Sequence, residues 1–181
     1  DNLNLYTKYT RGMKPGHFNA ALTIRGGETE QRVEPVEPEF IHAAEIGFKS
    51  GWLNDRLVVN VAGFRYWYKD LQVFDIDNQA GALPIQKLLN ADALVWGAEL
   101  EFQVRPLPGL TISGGAGWLD TEFVDFTVTK CLLARRQGCP VAVQDHSGNP
   151  LIAAPEWSVS SIVELEIPLF GWGSLLPQYD F

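Results

Sequence analysis

The sequence lacks any apolar run long enough to form a membrane-spanning helix. The longest runs, such as residues 93–98 (Ala-Leu-Val-Trp-Gly-Ala), fall far short of the roughly 18 residues that such a helix needs. Helical periodicity is scarce as well, whereas alternation of apolar and polar residues recurs in segment after segment. The chain is therefore predicted to be nearly all β, and any contact with a membrane would be made through strands.

Clusters of lysine and arginine with interleaved aromatic residues are also missing, and the formal net charge is −8. Since neutralisation of phosphates dominates affinity for nucleic acids, this composition argues against a nucleic-acid partner. The first four residues, Asp-Asn-Leu-Asn, contain no initiator methionine and no basic or apolar segment of a signal peptide. We therefore expect the chain to begin inside a longer protein.

Cysteine is rare, with 2 in 181 residues. Cys131 and Cys139 lie close together in a loop-like stretch beside Gly138 and Pro140, a spacing that suits a small disulfide loop rather than a four-ligand metal site. A disulfide would place this loop in an oxidising compartment, and two free thiols remain the alternative. The histidines show no ligand spacing, so no metal centre is predicted from His17, His42 and His146.

What the sequence does contain is strands with one apolar face. The clearest lies between Leu94 and Val104, where even-numbered residues are apolar and odd-numbered residues, including Glu99 and Glu101, are mostly polar or glycine. Three further segments follow the same rule: residues 40–52, 110–118 and 157–167. Alternation with a period of two is typical of strands that separate an apolar environment from a polar one.

One segment, residues 57–74, has charges on a face that also carries apolar residues. Arg65 and Lys69 share a face with Trp67, while Tyr66 and Tyr68 lie on the other face. A charge at the bilayer midplane costs about 2–4 kcal/mol on the lipid face of a barrel. We therefore predict that Arg65 and Lys69 point inward, away from lipid.

Short and long connections alternate along the chain. The short ones cover residues 53–55, 106–109 and 171–173. The long ones cover roughly residues 12–38, 75–88 and 127–154. Outer-membrane barrels combine short periplasmic turns, long extracellular loops and aromatic girdles at both interfaces. The tryptophans that suit such girdles, and that would be core residues in a soluble β-sandwich, are Trp52, Trp118, Trp157 and Trp172.

Five motifs, in order along the chain, resemble those of TonB-dependent outer-membrane receptors. The first covers residues 6–19 and is similar to the family pattern Y-x-x-Y-x-x-G-x-K-x-G-x-F-N. The second, V-x-P-E followed by E-x-G-x-K, covers residues 36–49, and the third, F-x-x-x-Y-x-D-x-Q, covers residues 64–72. The last two are Asn90-Ala91 with residues 97–101, and residues 148–151 with Ala154-Pro155.

This resemblance covers about residues 3–170. It implies an all-β fold, an antiparallel meander of about seven strands that is part of a 22-stranded transmembrane β-barrel. Residues 1–181 are then a fragment of the barrel domain, truncated at both ends and lacking the family's N-terminal plug.

The function that the resemblance implies is that of a bacterial outer-membrane receptor. Such a receptor imports a ferric siderophore or a similar scarce nutrient with energy passed through TonB. Its implied partners are outer-membrane lipid, its own plug domain, TonB and the nutrient, and no cofactor is expected.

The residues alone leave two other functions open, a soluble β-sandwich that binds carbohydrate and a passive outer-membrane porin. Glu99 and Glu101, like Glu164 and Glu166, would lie about 6.5–7 Å apart on one strand face, near the separation that inverting glycosidases use. Alternating acidic residues on a polar face are more often simply solvated. We therefore expect a non-enzyme.

For a receptor, ligand contacts are expected from the long loops and the upper lumen. Basic loop residues would suit an anionic siderophore. Trp67 would supply stacking, or Tyr66 and Tyr68 would do so if their strand faces the other way. The basic candidates are Arg25, Arg32, Lys130, Arg135 and Arg136.

Overall fold

A computed structural model of the chain describes residues 2–19, 34–77, 85–131 and 141–181. In these ranges it contains no helix long and apolar enough to cross a membrane. The described strands are β1 (Asn2–Lys14), β2 (His17–Phe18), β3 (Pro35–Val36), β4 (Glu39–Trp52), β5 (Leu57–Asp77), β6 (Ile85–Leu107), β7 (Leu110–Asp125), β8 (Thr127–Cys131), β9 (Val141–Asp145), β10 (Trp157–Leu165), β11 (Ile167–Pro168), β12 (Ser174–Leu175) and β13 (Gln178–Asp180).

Seven of these strands form one antiparallel sheet in the order β1-β4-β5-β6-β7-β10-β13. The predicted meander of about seven strands is confirmed. The remaining strands form three two-stranded ribbons, β2–β3, β8–β9 and β11–β12, which lie in the connections. A β-sandwich needs two sheets packed face to face, and the described residues form one large sheet instead.

The register confirms the four predicted apolar faces and joins them into one surface. Residues directly opposite each other on neighbouring strands share a face of the sheet. Phe48 lies opposite Val61, Val61 opposite Leu100, and Leu100 opposite Ala116, which lies opposite Val159. We call this apolar surface the outward face and the opposite surface the lumen face.

The uncharged part of the outward face is nearly as high as the apolar band of an outer-membrane barrel. On β7 its positions are uncharged from Leu110 to Trp118, and on β4 they are uncharged from Trp52 to Ala44. Eight residue steps extend about 27 Å along a strand, or about 20 Å across the membrane at a strand tilt of about 40°. This is close to the apolar band of about 25 Å that outer-membrane barrels present to lipid.

Tryptophans lie at both ends of this uncharged band. Trp118 lies directly opposite Trp157, and its ring packs edge-on against Trp96 with the centroids 4.7 Å apart. Trp52 lies at the other end of β4, and Trp172 is exposed in the turn between β11 and β12. The positions agree with the predicted aromatic girdles.

The inward orientation predicted for Arg65 and Lys69 is wrong. Arg65 lies opposite Ala44 and Trp96, and Lys69 lies opposite Phe40, all of them on the outward face. The predicted penalty applies at the bilayer midplane, whereas near the interface it falls to about 0–1 kcal/mol. Arg65 follows the last uncharged position of β5 on the extracellular side, so it avoids most of this penalty.

The two ends of the sheet differ as the connection lengths predicted. At the periplasmic end, β4 and β5 are joined by a tight turn in which Leu53, Asn54 and Asp55 all have positive φ. At the extracellular end, β5 extends to Asp77 and β6 begins at Ile85, so paired strand replaces much of the loop predicted for residues 75–88. The β8–β9 ribbon likewise lies inside the loop predicted for residues 127–154.

Candidate functional site

A polar groove of about 170 Å³ lies on the lumen face across β1, β4, β5 and β6. We call it the lumen patch. Its three carboxylates outnumber the single amine that lines it, so the groove suits cationic groups. The polar and aromatic residues lining it are Tyr6, Glu45, Lys49, Asn60, Phe64, Tyr66, Glu99 and Glu101.

Hydrogen bonds across strands hold two of these carboxylates in place. Tyr6 donates its hydroxyl to Oε1 of Glu45 at 2.8 Å. Asn60 donates Nδ2 to Oε2 of Glu101 at 3.4 Å. Each bond occupies one oxygen, and a carboxylate has further acceptor positions for a group that approaches from the lumen.

Two lumen-face glycines create room for the aromatic rings of the patch. A Cβ atom on Gly47 would come within 2.7 Å of the Tyr6 ring, and one on Gly97 would come within 3.0 Å of Cζ of Phe64. Both rings lie over the glycine directly opposite on the next strand. Aromatic residues often compensate in this way for glycine in a sheet.

A second cluster joins the connection after β1 to the extracellular end of the β5–β6 hairpin. Asn90 receives the Glu37 N–H at 2.8 Å and donates Nδ2 to the Glu37 carbonyl at 3.1 Å and the Asp70 carbonyl at 2.8 Å. Gln72 donates Nε2 to the carbonyls of Pro15 and Glu37, each at 3.1 Å. We call the cluster of Asn19, Glu37, Gln72 and Asn90 the loop clamp.

Asn19 completes the loop clamp by bonding both backbone groups of Leu88. Its Nδ2 donates to the Leu88 carbonyl at 2.9 Å, and its Oδ1 accepts the Leu88 N–H at 2.8 Å. The clamp therefore unites residues from four of the motif segments quoted above. The sequence pattern gave no sign that they meet, because their contacts span up to 69 positions.

The fifth motif has a similar role on the next hairpin. The carbonyl of Asn149 accepts the Phe123 N–H at 2.9 Å, and the Leu151 N–H donates to Oγ1 of Thr121 at 3.0 Å. These bonds hold the end of the β7–β10 connection against β7. The motif residues thus fasten long extracellular connections to the barrel wall.

A third feature, the ion pair of Lys69 and Asp92, lies beyond the uncharged band on the extracellular side. Nζ of Lys69 is 2.8 Å from Oδ2 of Asp92, and Oδ1 accepts the Asp70 N–H at 3.0 Å. Burial alone would raise the pKa of Asp92, but these hydrogen bonds and the lysine charge lower it below its usual value. The pair lies where β5 bulges, since Asp70 has a positive φ and the register shifts between Tyr68 and Leu71.

The register of β5 decides which of its aromatic residues face the lumen, and the result differs from the prediction for Trp67. Trp67 lies on the outward face, where the Arg65 guanidinium is 5.3 Å above its ring. Its suggested role as a lumen stacking residue therefore has no support. Tyr66 lines the lumen patch, and Tyr68 packs on the same face against the small core of Ala91, Ala93, Phe123, Phe126 and Val128. Ligand contact by Tyr66 and Tyr68 stays a prediction.

The other predicted site residues fall outside the described structure. Arg25, Arg32, Arg135, Arg136 and Cys139 lie beyond the described ranges. Lys130 and Cys131 belong to β8, but only their backbone is described. The basic ligand residues and the disulfide therefore stay predictions. In the described part of the chain, no three His, Cys, Asp or Glu side chains converge as a metal site would require.

Comparisons with known proteins place these features in context. A family model described as TonB dependent receptor-like, beta-barrel, matches residues 1–180. The ferric yersiniabactin uptake receptor FyuA from Yersinia pestis is similar in structure, with a TM-score of 0.67 and 22% sequence identity over 99% of this chain and 23% of that one. The alcaligin outer-membrane receptor FauA from Bordetella pertussis gives a TM-score of 0.52 and 18% identity over 94% of this chain and 25% of that one. These likenesses show the fold, and the chain spans about a quarter of each receptor.

Proposed function

Because this chain belongs to the TonB-dependent receptor β-barrel family, we propose that it forms part of the wall of a receptor that imports a ferric siderophore or a similar scarce nutrient. The family is one of outer-membrane proteins of Gram-negative bacteria, and its barrel has 22 strands. The observation that carries the proposal is the family match over residues 1–180. The sheet supports it, because its outward face is uncharged over a height of about 20 Å, close to that of the apolar band of such barrels, and its lumen face is polar.

The nutrient class is proposed from the two similar structures, whose names describe uptake of ferric yersiniabactin and recognition of alcaligin. We propose in addition that TonB supplies the energy for import and that a plug domain fills the lumen. The lumen patch supports a plug, because Glu45, Glu99 and Glu101 offer acceptors to cationic side chains that enter the barrel. The receptor then binds its ligand on the extracellular side and releases it through the lumen as the plug moves.

The test is an uptake measurement with the full receptor that contains this chain. The receptor is produced in a Gram-negative host that lacks its own siderophore receptors, and a panel of ⁵⁵Fe-labelled siderophores is supplied. We expect saturable uptake of at least one siderophore, and we expect deletion of TonB to abolish that uptake.

The same experiment decides between a receptor and the passive porin. A porin would admit small solutes in proportion to their concentration, and deletion of TonB would leave that entry unchanged. Entry of this kind, without saturable uptake of any ferric complex or other scarce nutrient, would refute the receptor proposal.

The lumen patch yields a separate prediction about the plug. Replacing Glu45, Glu99 and Glu101 by glutamine removes the charges but keeps the side-chain size, so we expect the plug to be held less firmly. A large antibiotic that the outer membrane normally excludes should then enter more readily, measured as increased killing of cells that make the variant. Glu164→Gln is the matched control, since Glu164 lies on the lumen face of β10 outside the patch. Equal sensitivity of the two variants would contradict the assignment.

A further inference from the structure

The outward face carries two arginines at the extracellular boundary of the uncharged band. Arg11 on β1 lies opposite His42 on β4, which in turn lies opposite Trp67 on β5. Arg65 precedes Trp67 by two residues and shares its face. Arg11 and Arg65 therefore lie beside one short row of aromatic and imidazole rings, on the two strands that flank β4.

Both guanidinium groups are exposed and rest on aromatic rings. Cζ of Arg65 is 5.3 Å from the centre of the Trp67 ring, and Cζ of Arg11 is 5.2 Å from the centre of the Phe40 ring. Stacking on a ring holds a guanidinium by its face and leaves the N–H groups at its edge available for a bidentate acceptor. The rings thus hold both guanidinium groups in a defined orientation before an acceptor binds.

Carboxylates do not neutralise these two arginines in the part of the chain that the structure describes. The ion pair of Lys69 and Asp92 involves neither arginine. The carboxylates on the outward face of β7, Asp120 and Glu122, are separated from Arg65 and Trp67 by the side chains of β6 that lie between them, Trp96 and Leu94. Positive charge on β1 and β5 therefore faces the surroundings of the barrel.

The surroundings at this depth are lipid headgroups. The arginines lie just beyond the uncharged band, next to Tyr9, whose hydroxyl is 2.6 Å from Nδ1 of His42. Tyrosine and tryptophan at this boundary are typical of the headgroup level in outer-membrane barrels. Arginine binds phosphate through two parallel N–H donors, which gives a more specific contact than the single ammonium group of lysine does.

We propose that Arg11 and Arg65 form a binding site on the outward face for a phosphate group of a lipid in the extracellular leaflet. Phosphate supplies the negative charge that this part of the surface lacks. The acyl chains of the same lipid would lie along the uncharged positions of β1, β4 and β5 below the arginines. This site depends on the outer-membrane location of the chain and not on which nutrient the receptor carries.

The test measures retained lipid on the full receptor. The purified receptor is exchanged into nanodiscs of phosphatidylcholine doped with a diphosphorylated glycolipid, released into detergent, and assayed for bound glycolipid by native mass spectrometry. We expect the Arg11→Gln, Arg65→Gln double variant to bind the glycolipid about tenfold more weakly, because each guanidinium contributes charge-assisted hydrogen bonds to phosphate. The Arg11→Lys, Arg65→Lys variant should bind with intermediate affinity, since it keeps the charges and loses the paired donors.

Lys8→Gln is the matched control, because Lys8 is a cation on the same strand as Arg11 but lies on the lumen face opposite Glu45. We expect this control to bind glycolipid like the unaltered receptor. Retention by the glutamine double variant equal to that of the control would overturn the proposal. Displacement of the glycolipid by inorganic phosphate at comparable concentration would overturn it as well, since the site would then recognise free phosphate.

Folding of each variant is checked by heat-modifiable migration on gels. If the glutamine double variant fails to fold, the lysine double variant decides the question by itself. Binding of that variant several-fold weaker than in the unaltered receptor supports the site, and unchanged binding refutes it.

Discussion

Gly97 lies on the lumen face of β6, where the backbone of β7 approaches it closely. A Cβ atom at this position would overlap the carbonyl oxygen of Trp118 and press on the Phe64 ring. Backbone in the middle of a sheet cannot move aside without breaking ladder hydrogen bonds. We predict that Gly97→Ala lowers the free energy of unfolding of the full receptor by about 1–3 kcal/mol, measured by urea titration in detergent.

Gly63 provides the control for this substitution. It lies opposite Ala98 on the neighbouring strand, and the nearest atom to a Cβ placed there is 3.9 Å away. Gly63→Ala should leave the free energy of unfolding within about 0.5 kcal/mol of the original value. A loss as large as that of Gly97→Ala would show that the close approach to Trp118 is not the cause.

Asp92 makes a pH-dependent contribution to the stability of the fold at the extracellular end of the sheet. Because hydrogen bonds lower its pKa in the folded state, the carboxylate stabilises the fold at neutral pH. This contribution disappears as the pH falls below the ordinary value of an aspartate, about 3.9, and the group becomes protonated.

We therefore predict that Asp92→Asn destabilises the full receptor at pH 7 and that the difference from the unaltered protein shrinks toward pH 3. The measurement is the free energy of unfolding in urea at a series of pH values. A difference that stays constant over this range would mean that the charge of Asp92 does not matter.

At the scale of elements, the loop clamp joins a connection to a hairpin that is far away in sequence. Asn90 alone makes three of the hydrogen bonds in the loop clamp. Each is worth roughly 1 kcal/mol, and a buried group left without a partner costs more. The extracellular extension of β5 and β6 therefore depends on the Asn90 side chain for its contact with Glu37.

We predict that Asn90→Ala loosens this contact while the barrel wall stays folded. The amide proton of Glu37, which donates to Oδ1 of Asn90, should exchange at least about tenfold faster, since a loss of 1.4 kcal/mol changes an opening equilibrium tenfold. Hydrogen exchange followed by mass spectrometry measures the change. Gln86→Ala is the control, because Gln86 is an exposed residue four positions earlier on the same strand. Faster exchange throughout β4 and β7 would indicate general unfolding instead.

At the scale of the whole molecule, one side of the sheet contacts lipid and the other contacts the aqueous lumen. Val61 belongs to the outward face, and its neighbour Ala62 lines the lumen patch. A fluorescent label on cysteine introduced at position 61 should be quenched by nitroxides carried on lipid chains. The same label at position 62 should be quenched by water-soluble nitroxides instead, and equal quenching at both positions would contradict the barrel orientation.

The sequence by itself determined the fold class and most of the wall. Alternation with period two in residues 40–52, 94–104, 110–118 and 157–167 was sufficient, because a strand that separates lipid from a polar lumen must alternate in this way. The motifs also indicated the family, although five weak patterns in order do not show what each residue contacts.

Only the tertiary structure decided the face of β5 and the partners of the motif residues. The energetic penalty on Arg65 depends on its depth in the membrane, and depth follows from the register with β4 and β6 rather than from the local pattern. Hydrogen bonds of the loop clamp join residues on separate connections, and pairing at such distances in sequence leaves no local periodicity to detect. The sequence therefore sufficed where one strand carries its own signal, and the structure was needed where two distant segments share an interaction.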